Sequence, residues 1–280
     1  MTTLICIRHG QIEINLARRL TGQLDPPLTP LGVEQARRTA EFLRSQPITR
    51  IYSSDLVRCM DTAAPTAAMH GLPVIPEPAF REIFAGKWEG MTFDAITAAY
   101  PESHHIWMTD MGRAHPDGGE SVAQLYDRVT AAMERVVREN EGGCVAIFTH
   151  STPIRTMACR WQGLPVEQIR QVPWASNASV SIADWADGKY TVRLYGYDKH
   201  QGAGVTAGQL ALLHQFAHLL AEVQQPQSVG HGAAGLAHPL RGFLLGQAVL
   251  FHQRVIALGF LHGIQVLTLE VFDHGQLHGL

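Results

Sequence analysis

The chain has little that would direct it to a polyanion, a membrane or an oxidising compartment. Its 22 lysines and arginines are outnumbered by 25 acidic residues, for a formal charge of −3 over 280 residues. That excludes a basic face for nucleic acid or anionic lipid, so positive potential has to be local, a few arginines gathered around an anion. Only four cysteines occur, Cys6, Cys59, Cys144 and Cys159, in apolar runs without paired or metal-type spacing. They read as reduced core thiols of a cytosolic protein. Long apolar runs are lacking too: Val255 to Leu269 follows Arg254 and contains His262 and Gln265, too short and too polar for a membrane span. No basic stretch, apolar signal core or cleavage site precedes the first apolar run at Leu4, so secretion is not expected. These absences predict a cytoplasmic protein whose partner is a small molecule rather than nucleic acid or membrane, with a homodimer left open.

What is present is 46% hydrophobic residues, enough to bury one sizeable core. Up to about residue 200, strand and helix signals alternate, as a mostly parallel sheet covered on both faces requires. The run Leu4–Ile7 reads as a buried strand. Thr29-Pro30-Leu31-Gly32 opens a helix, with Thr29 as N-cap, Pro30 at the first helical position, and Val33, Ala36, Ala40 and Leu43 at helical spacing. A second strand, Arg50–Ser54, runs into a helix that Ser54 or Asp55 is expected to cap, with Arg58 in its first turn. Ser121 to Glu139 carries one apolar stripe, Val122, Leu125, Val129, Met133 and Val136, and ends at Gly142-Gly143. Cys144–Thr149 is a strand ending at His150, and Pro153 suits the first turn of the helix that follows. Ser179–Trp185 and Tyr190–Leu194, joined through Asp187-Gly188, predict an antiparallel hairpin.

The first strand delivers Arg8-His9-Gly10 into a strand-to-helix turn. Open α/β sheets place ligands at the carboxyl ends of their strands, glycine lets backbone approach a bound group, and arginine binds oxyanions. The triad reads as a phosphate site with a nucleophile in it. Phosphoryl transfer through histidine needs a neutral imidazole aimed at phosphorus, positive donors on the oxygens, and an acid for the departing alkoxide.

Arg8-His9-Gly10, Asn15, Thr21-Gly22 and the run Asp25-Pro26-Pro27-Leu28-Thr29-Pro30-Leu31-Gly32 together resemble the opening of the histidine phosphatase superfamily, the phosphoglycerate-mutase-like enzymes. The resemblance extends over about residues 2 to 195. It implies an α/β three-layer sandwich with a mostly parallel central sheet and helices on both faces. It implies His9 as the nucleophile that forms a phosphohistidine, and Arg8 and Arg58 as phosphate ligands. His150 would bind the transferring group and orient His9, and Glu82 would protonate the leaving oxygen and then deprotonate water. Glu89 is a rival carboxylate. Gln11, Asn15 and Thr21, on the loop after His9, are candidates for phosphate or substrate contacts or for satisfying loop backbone. His115 and Glu120 resemble a loop that precedes a long helix in phosphatase members. Trp88, Phe84, Trp107 and Met108 form either an apolar lid or core.

No metal or other cofactor is expected, since arginines and histidines supply the charge. The mutase pattern has arginines shortly after the acid, whereas Glu89-Gly90-Met91-Thr92-Phe93-Asp94 has none and the next is Arg113. The expected activity is therefore that of a histidine acid phosphatase-type phosphomonoesterase on a small phosphorylated metabolite, similar to the broad-specificity or α-ribazole-phosphate phosphatases of bacteria. The alternatives are mutase-type transfer and a non-catalytic binding module.

Residues 201–280 form an atypical extension. They include no lysine, two arginines, three acidic residues and eight of the fifteen histidines. The histidines are scattered among leucines without a ligand constellation, which argues against a metal site. Gln209–Val223 carries a leucine stripe that predicts a helix, and the segment is either a small appendage or one not selected as protein, such as a shifted reading frame. It is expected to be non-catalytic.

Overall fold

The computed structural model describes residues 1–202, 254–259 and 268–273. Two compact units divide the chain, Met1–Leu220 and Ala221–Leu280. In chain order the first contains β1 (Thr2–Arg8), α1 (Glu13–Leu16), α2 (Pro30–Leu43), β2 (Arg50–Ser53), α3 (Val57–His70), β3 (Val74–Pro76), α4 (Phe93–Ala99), α5 (Pro101–Thr109), α6 (Val122–Glu139), β4 (Cys144–Thr149), α7 (Ser151–Gln162), β5 (Val180–Ala186) and β6 (Lys189–Tyr197). The strand order is β3-β2-β4-β1-β5-β6. The first four neighbours are parallel, and β5 and β6 are antiparallel.

The central strands alternate between two cores because successive side chains of a strand point to opposite faces. Leu4, Cys6, Val145 and Ile147 face one cluster with Val129 and Met133 of α6 and Ile154 and Met157 of α7. Ile5, Ile7, Ala146 and Phe148 face the other with Leu43 of α2 and Ala63 and Ala67 of α3. Helices therefore cover both faces of the sheet, the expected three-layer sandwich. Each fully buried Val, Leu, Ile, Phe or Met among them contributes about 1.5–3 kcal/mol relative to exposure. Trp88 and Trp107 belong to the first core, whereas Phe84 and Met108 are exposed.

Most local signals are realised. Thr29 Oγ1 accepts from Gly32 N at 3.0 Å with Pro30 next to it. Ser121 closes a capping box with Gln124 at the start of α6. Asp187 and Gly188 both adopt positive φ, 50° and 76°, the backbone of a two-residue hairpin turn. Two details differ. The helix α6 ends at Glu139 on an Asn140 cap, with Gly142 in the left-handed turn that follows. At α3 the N-cap is Leu56, which has no capping side chain. Instead Asp25 reaches in from the loop before α2 and accepts from Val57 N at 2.7 Å. Ser54 Oγ takes Leu56 N at 3.4 Å, and Asp55 is held by Arg81 at 2.6 Å. A long-range carboxylate satisfies the helix N-terminus, so the adjacent serine and aspartate are free for other partners.

Parallel pairing of β2, β4 and β1 brings their carboxyl ends side by side, and with them Ser54, His150 and His9. A Cβ on Gly10 would lie 2.6 Å from the Gly32 carbonyl oxygen, and one on Gly32 would lie 2.3 Å from that of Gln11. Both glycines are required for the loop after β1 to press against the first turn of α2. The first unit's described residues run past position 200, with Gln201 buried.

In the second unit, β7 (Arg254–Gly259) pairs antiparallel with β8 (Thr268–Asp273), Arg254 opposite Asp273. The helix expected over Gln209–Val223 lies outside the described residues. No described helix is long and apolar enough to cross a membrane, and among the described residues no three histidine, cysteine or acidic side chains group as metal ligands would.

Candidate active site

His9 leaves β1 almost wholly buried. Its backbone N–H donates to the Thr149 carbonyl at 2.9 Å, tying it to the end of β4. The ring Nδ1 lies 2.7 Å from the carbonyl oxygen of Gly10. A carbonyl only accepts, so the proton is on Nδ1 and the lone pair on Nε2. The ring of His150 meets that of His9 edge-on, with centroids 5.2 Å apart at 62°. His150 is fully buried and shares a 2.8 Å hydrogen bond between its Nε2 and Ser54 Oγ.

Arg58 enters from the first turn of α3. Its side chain is wholly buried, and Nη1 and Nη2 donate to the carbonyls of Leu24 and Gly22 at 2.6 and 2.9 Å. Gly22 sits at φ +55°, where a Cβ would fall 2.2 Å from a Glu89 carboxylate oxygen, so only glycine allows the loop to wrap the guanidinium. Arg8 Nη1 donates to the Ala175 carbonyl at 2.6 Å. The Nε atoms of Arg8 and Arg58 are buried without a partner. Two cationic donors in want of an acceptor beside a pair of imidazoles make a cradle for an oxyanion.

Glu82 lies in a segment fixed by its backbone. Arg128 of α6 donates to the carbonyls of Ala79, Arg81 and Glu82 at 2.9, 2.9 and 3.2 Å. One carboxylate oxygen of Glu82 takes Ile83 N at 2.9 Å, and the other takes Thr152 N, in the first turn of α7 just past His150, at 3.4 Å. Glu89 is used differently: its Oε1 accepts from Gln23 N at 2.8 Å and Ala85 N at 3.1 Å, which ties two loops together.

Gln11 and Asn15 meet protein groups. Gln11 Oε1 accepts from Thr29 Oγ1 at 3.0 Å, while its Nε2 is buried without a partner. Asn15 Oδ1 accepts from Asn177 Nδ2 at 3.2 Å. The half-buried Thr21 side chain makes no hydrogen bond to the described residues. His115 is exposed and bonds the Gly119 carbonyl at 3.1 Å, and Glu120 takes Phe84 N at 2.8 Å and pairs with Arg128.

Three neighbours of the histidines carry no motif signal. Ser54 reads as a helix cap, Cys59 as a core thiol, and Asn177 lies in a loop distant in sequence. Cys59 Sγ is 3.4 Å from His150 Nε2 and 3.4 Å from the Thr149 carbonyl. Burial pushes its thiol up to about 12, so it stays protonated. Only the pairing of β2 with β4, and of β1 with β5, could have pointed to them.

Burial, and then the cations Arg58 and Arg8, hold the His9 imidazole well below the usual histidine range. Burial comes first for His150 too, followed by Arg58, His9 and Arg8. Burial also lowers Arg8 to about 10, which leaves it a cation at neutral pH. Both histidines are thus neutral at pH 7. Their folded-state pKa values lie below the ordinary 6.5, so beneath that pH the unfolded chain binds more protons than the folded one. The stability they contribute is whole above pH 6.5 and falls as pH drops below it, by up to about 1.4 kcal/mol per pH unit for each histidine. Urea unfolding at pH 7 and pH 5.5 should show this loss, with a shallower slope in His150→Gln. An equal slope would contradict it.

Paired imidazoles at neighbouring strand ends, with buried arginine donors that lack acceptors beside them, mark an α/β protein whose sheet has, at its carboxyl edge, the chemistry of an anion site. The family model described as histidine phosphatase superfamily (branch 1) matches residues 4–198, and the chain belongs to that superfamily. It is 34% identical over 185 residues to phosphoserine phosphatase 1 of Hydrogenobacter thermophilus, covering 65% of this chain and 86% of that one. It is 33% identical to phosphoglycerate mutase-like protein 4 of Arabidopsis thaliana, covering 70% of this chain and 86% of the other. Among solved structures, YhfR of Bacillus stearothermophilus superposes with a TM-score of 0.69 at 29% identity, covering 72% of this chain and all of that one (100%).

Proposed function

We propose that the protein is a phosphomonoesterase of the acid phosphatase type, hydrolysing a small phosphorylated metabolite through a phosphohistidine at His9. The observation that carries this reading is the His9 ring, neutral and buried, with Nδ1–H committed to the Gly10 carbonyl at 2.7 Å and Nε2 left as the base. Nε2 attacks phosphorus, the P–O bond to the alcohol breaks, and Glu82 in its acid form gives the departing oxygen its proton. Water then attacks phosphorus and returns a proton to the Glu82 carboxylate, while the P–N electrons go back to Nε2 and phosphate leaves. Arg8, Arg58 and His150 hold the non-bridging oxygens, where charge grows in both transition states. Gln11, whose buried side-chain N–H group lacks a partner, is the loop residue best suited to a further oxygen.

Transfer to water rather than to a second substrate is favoured by the absence of arginine between Glu89 and Gly112, where a mutase would need cations for the rest of its substrate. The similarity to a phosphoserine phosphatase supports hydrolysis of a compact, polar monoester.

The acid assignment is tested by leaving group. With an alkyl phosphate, Glu82→Gln should lower kcat about 10²–10⁴-fold. With p-nitrophenyl phosphate, whose phenolate leaves unprotonated, the first step should suffer far less. Glu89→Gln keeps an acceptor oxygen for Gln23 N and Ala85 N and should stay within a few-fold of the parent. A larger loss in Glu89→Gln than in Glu82→Gln would move the acid role to Glu89.

A further inference from the structure

Buried against the His9 loop is a side chain to which the reaction scheme gives no role. Asn177 Nδ2 lies 3.1 Å from the His9 carbonyl, 3.2 Å from the Gly10 carbonyl and 3.2 Å from Asn15 Oδ1, all acceptors. The Gly10 oxygen is the one to which His9 donates its Nδ1–H. Next in sequence, Ala178 is fully buried and adopts φ +56°, a left-handed conformation that a Cβ disfavours. That backbone lets Ala178 N donate to the same His9 carbonyl at 3.1 Å. The strained turn is held from behind. The Ala178 carbonyl takes Thr39 Oγ1 and Gln201 Nε2, each at 3.3 Å, and Gln201 Nε2 is also 2.9 Å from Thr39 Oγ1. Arg38 in turn holds the Gln201 carbonyl. Backbone strain kept by several converging contacts belongs to sites where geometry matters.

We propose that Asn177 is a positioning residue for His9, clamping the peptide planes of His9 and Gly10 through a left-handed turn at Ala178 that Gln201 supports. The proposal rests on the reading of His9 as nucleophile. The orientation of the His9 ring follows the Gly10 carbonyl, and that carbonyl swings with its peptide plane unless a second donor fixes it. Asn177 supplies that donor on two successive carbonyls. It donates to no phosphate oxygen in this scheme, so its removal misaims Nε2 and leaves the arginine cradle intact. A misplacement of about 1 Å costs on the order of 10²-fold in rate.

The test is single-turnover phosphorylation of the full chain by ³²P-labelled p-nitrophenyl phosphate with alkaline trapping, in which the amplitude counts competent sites. Asn177→Ala should phosphorylate about 10–100-fold more slowly per competent site, with KM near that of the parent. Gln201→Ala, which touches no atom of the His9 loop, should slow the step about threefold to tenfold, as expected of a support acting at one remove. A merely structural role would lower amplitude and melting temperature while leaving the rate per competent site unchanged. That unchanged rate, in either variant that folds, overturns the proposal. A parent enzyme that turns over without any trapped intermediate is a distinguishable result: it overturns the nucleophile reading, and the proposal with it.

Discussion

His9→Ala is expected to lose phosphate-monoester turnover by at least about 10⁴-fold and to trap no phosphoenzyme. The loss should be in kcat rather than in folding. His9 is buried, but its ring contributes one hydrogen bond, to the Gly10 carbonyl, and that carbonyl keeps Asn177 as a donor. Removing a neutral imidazole whose protonation is held back by burial also removes a destabilising proton uptake at low pH. The variant should therefore melt close to the parent at pH 7 and hold up better than it below pH 6. Phosphate release from p-nitrophenyl phosphate, measured beside alkaline-quenched labelling, decides the matter. Label incorporated equally by parent and variant would place the nucleophile elsewhere.

Arg58→Met should separate activity from stability even more sharply. The guanidinium is wholly buried, and burial pulls its pKa down, so the fold bears a cost for keeping a cation there. Methionine fills similar volume without charge. It leaves the Gly22 and Leu24 carbonyls without their donors, at about 1–3 kcal/mol each, and relieves a desolvation penalty of several kcal/mol. The two nearly cancel, so the melting temperature should move by only a few degrees. Catalysis has no such compensation. A donor at the oxyanion is worth about 10²–10³-fold, and an arginine on a transferring phosphoryl group about 10³–10⁵-fold, so kcat/KM should fall by about 10³-fold or more. Binding of inorganic vanadate should weaken in parallel. Arg58→Lys should not rescue, because an ammonium cannot serve two carbonyls and an anion in the planar fork geometry. Activity within tenfold of the parent in Arg58→Met, or near-parent activity in Arg58→Lys, would contradict the placement of the arginine on phosphate.

Both expectations depend on a site assembled from segments far apart in sequence, and its parts were unequally legible. His9, Arg58 and His150 announce themselves because each follows a β-type run at a turn, and the carboxyl ends of parallel strands are where a ligand can reach backbone and side chains. Glu82 is legible only through resemblance, since no regular element carries it; its backbone is held by Arg128 from α6 and by Gln23. Glu89 is a rival carboxylate in sequence, though the context of Glu82 is the better match. The hydrogen bonds of Glu89 to Gln23 N and Ala85 N depend on how two loops meet, which local pattern does not encode. The cap of α3 departs from the local pattern for the same reason: the acceptor for Val57 N is Asp25, thirty-two residues away.

The sequence by itself determined the three layers, the strand and helix succession, the hairpin at Asp187-Gly188, and the histidines and arginines at the turns. Periodicity, turn chemistry and capping act over a few residues and are written in those residues. Tertiary structure decided strand order, and through it everything that depends on adjacency. It set Ser54 and Cys59 against His150, Asn177 and a left-handed Ala178 against His9, and Gln201 behind them. It also committed the Nδ1 proton of His9 to a carbonyl and depressed both imidazoles by burying them beside two cations. Those properties come from what surrounds a group in space, and desolvation and charge do not follow chain order.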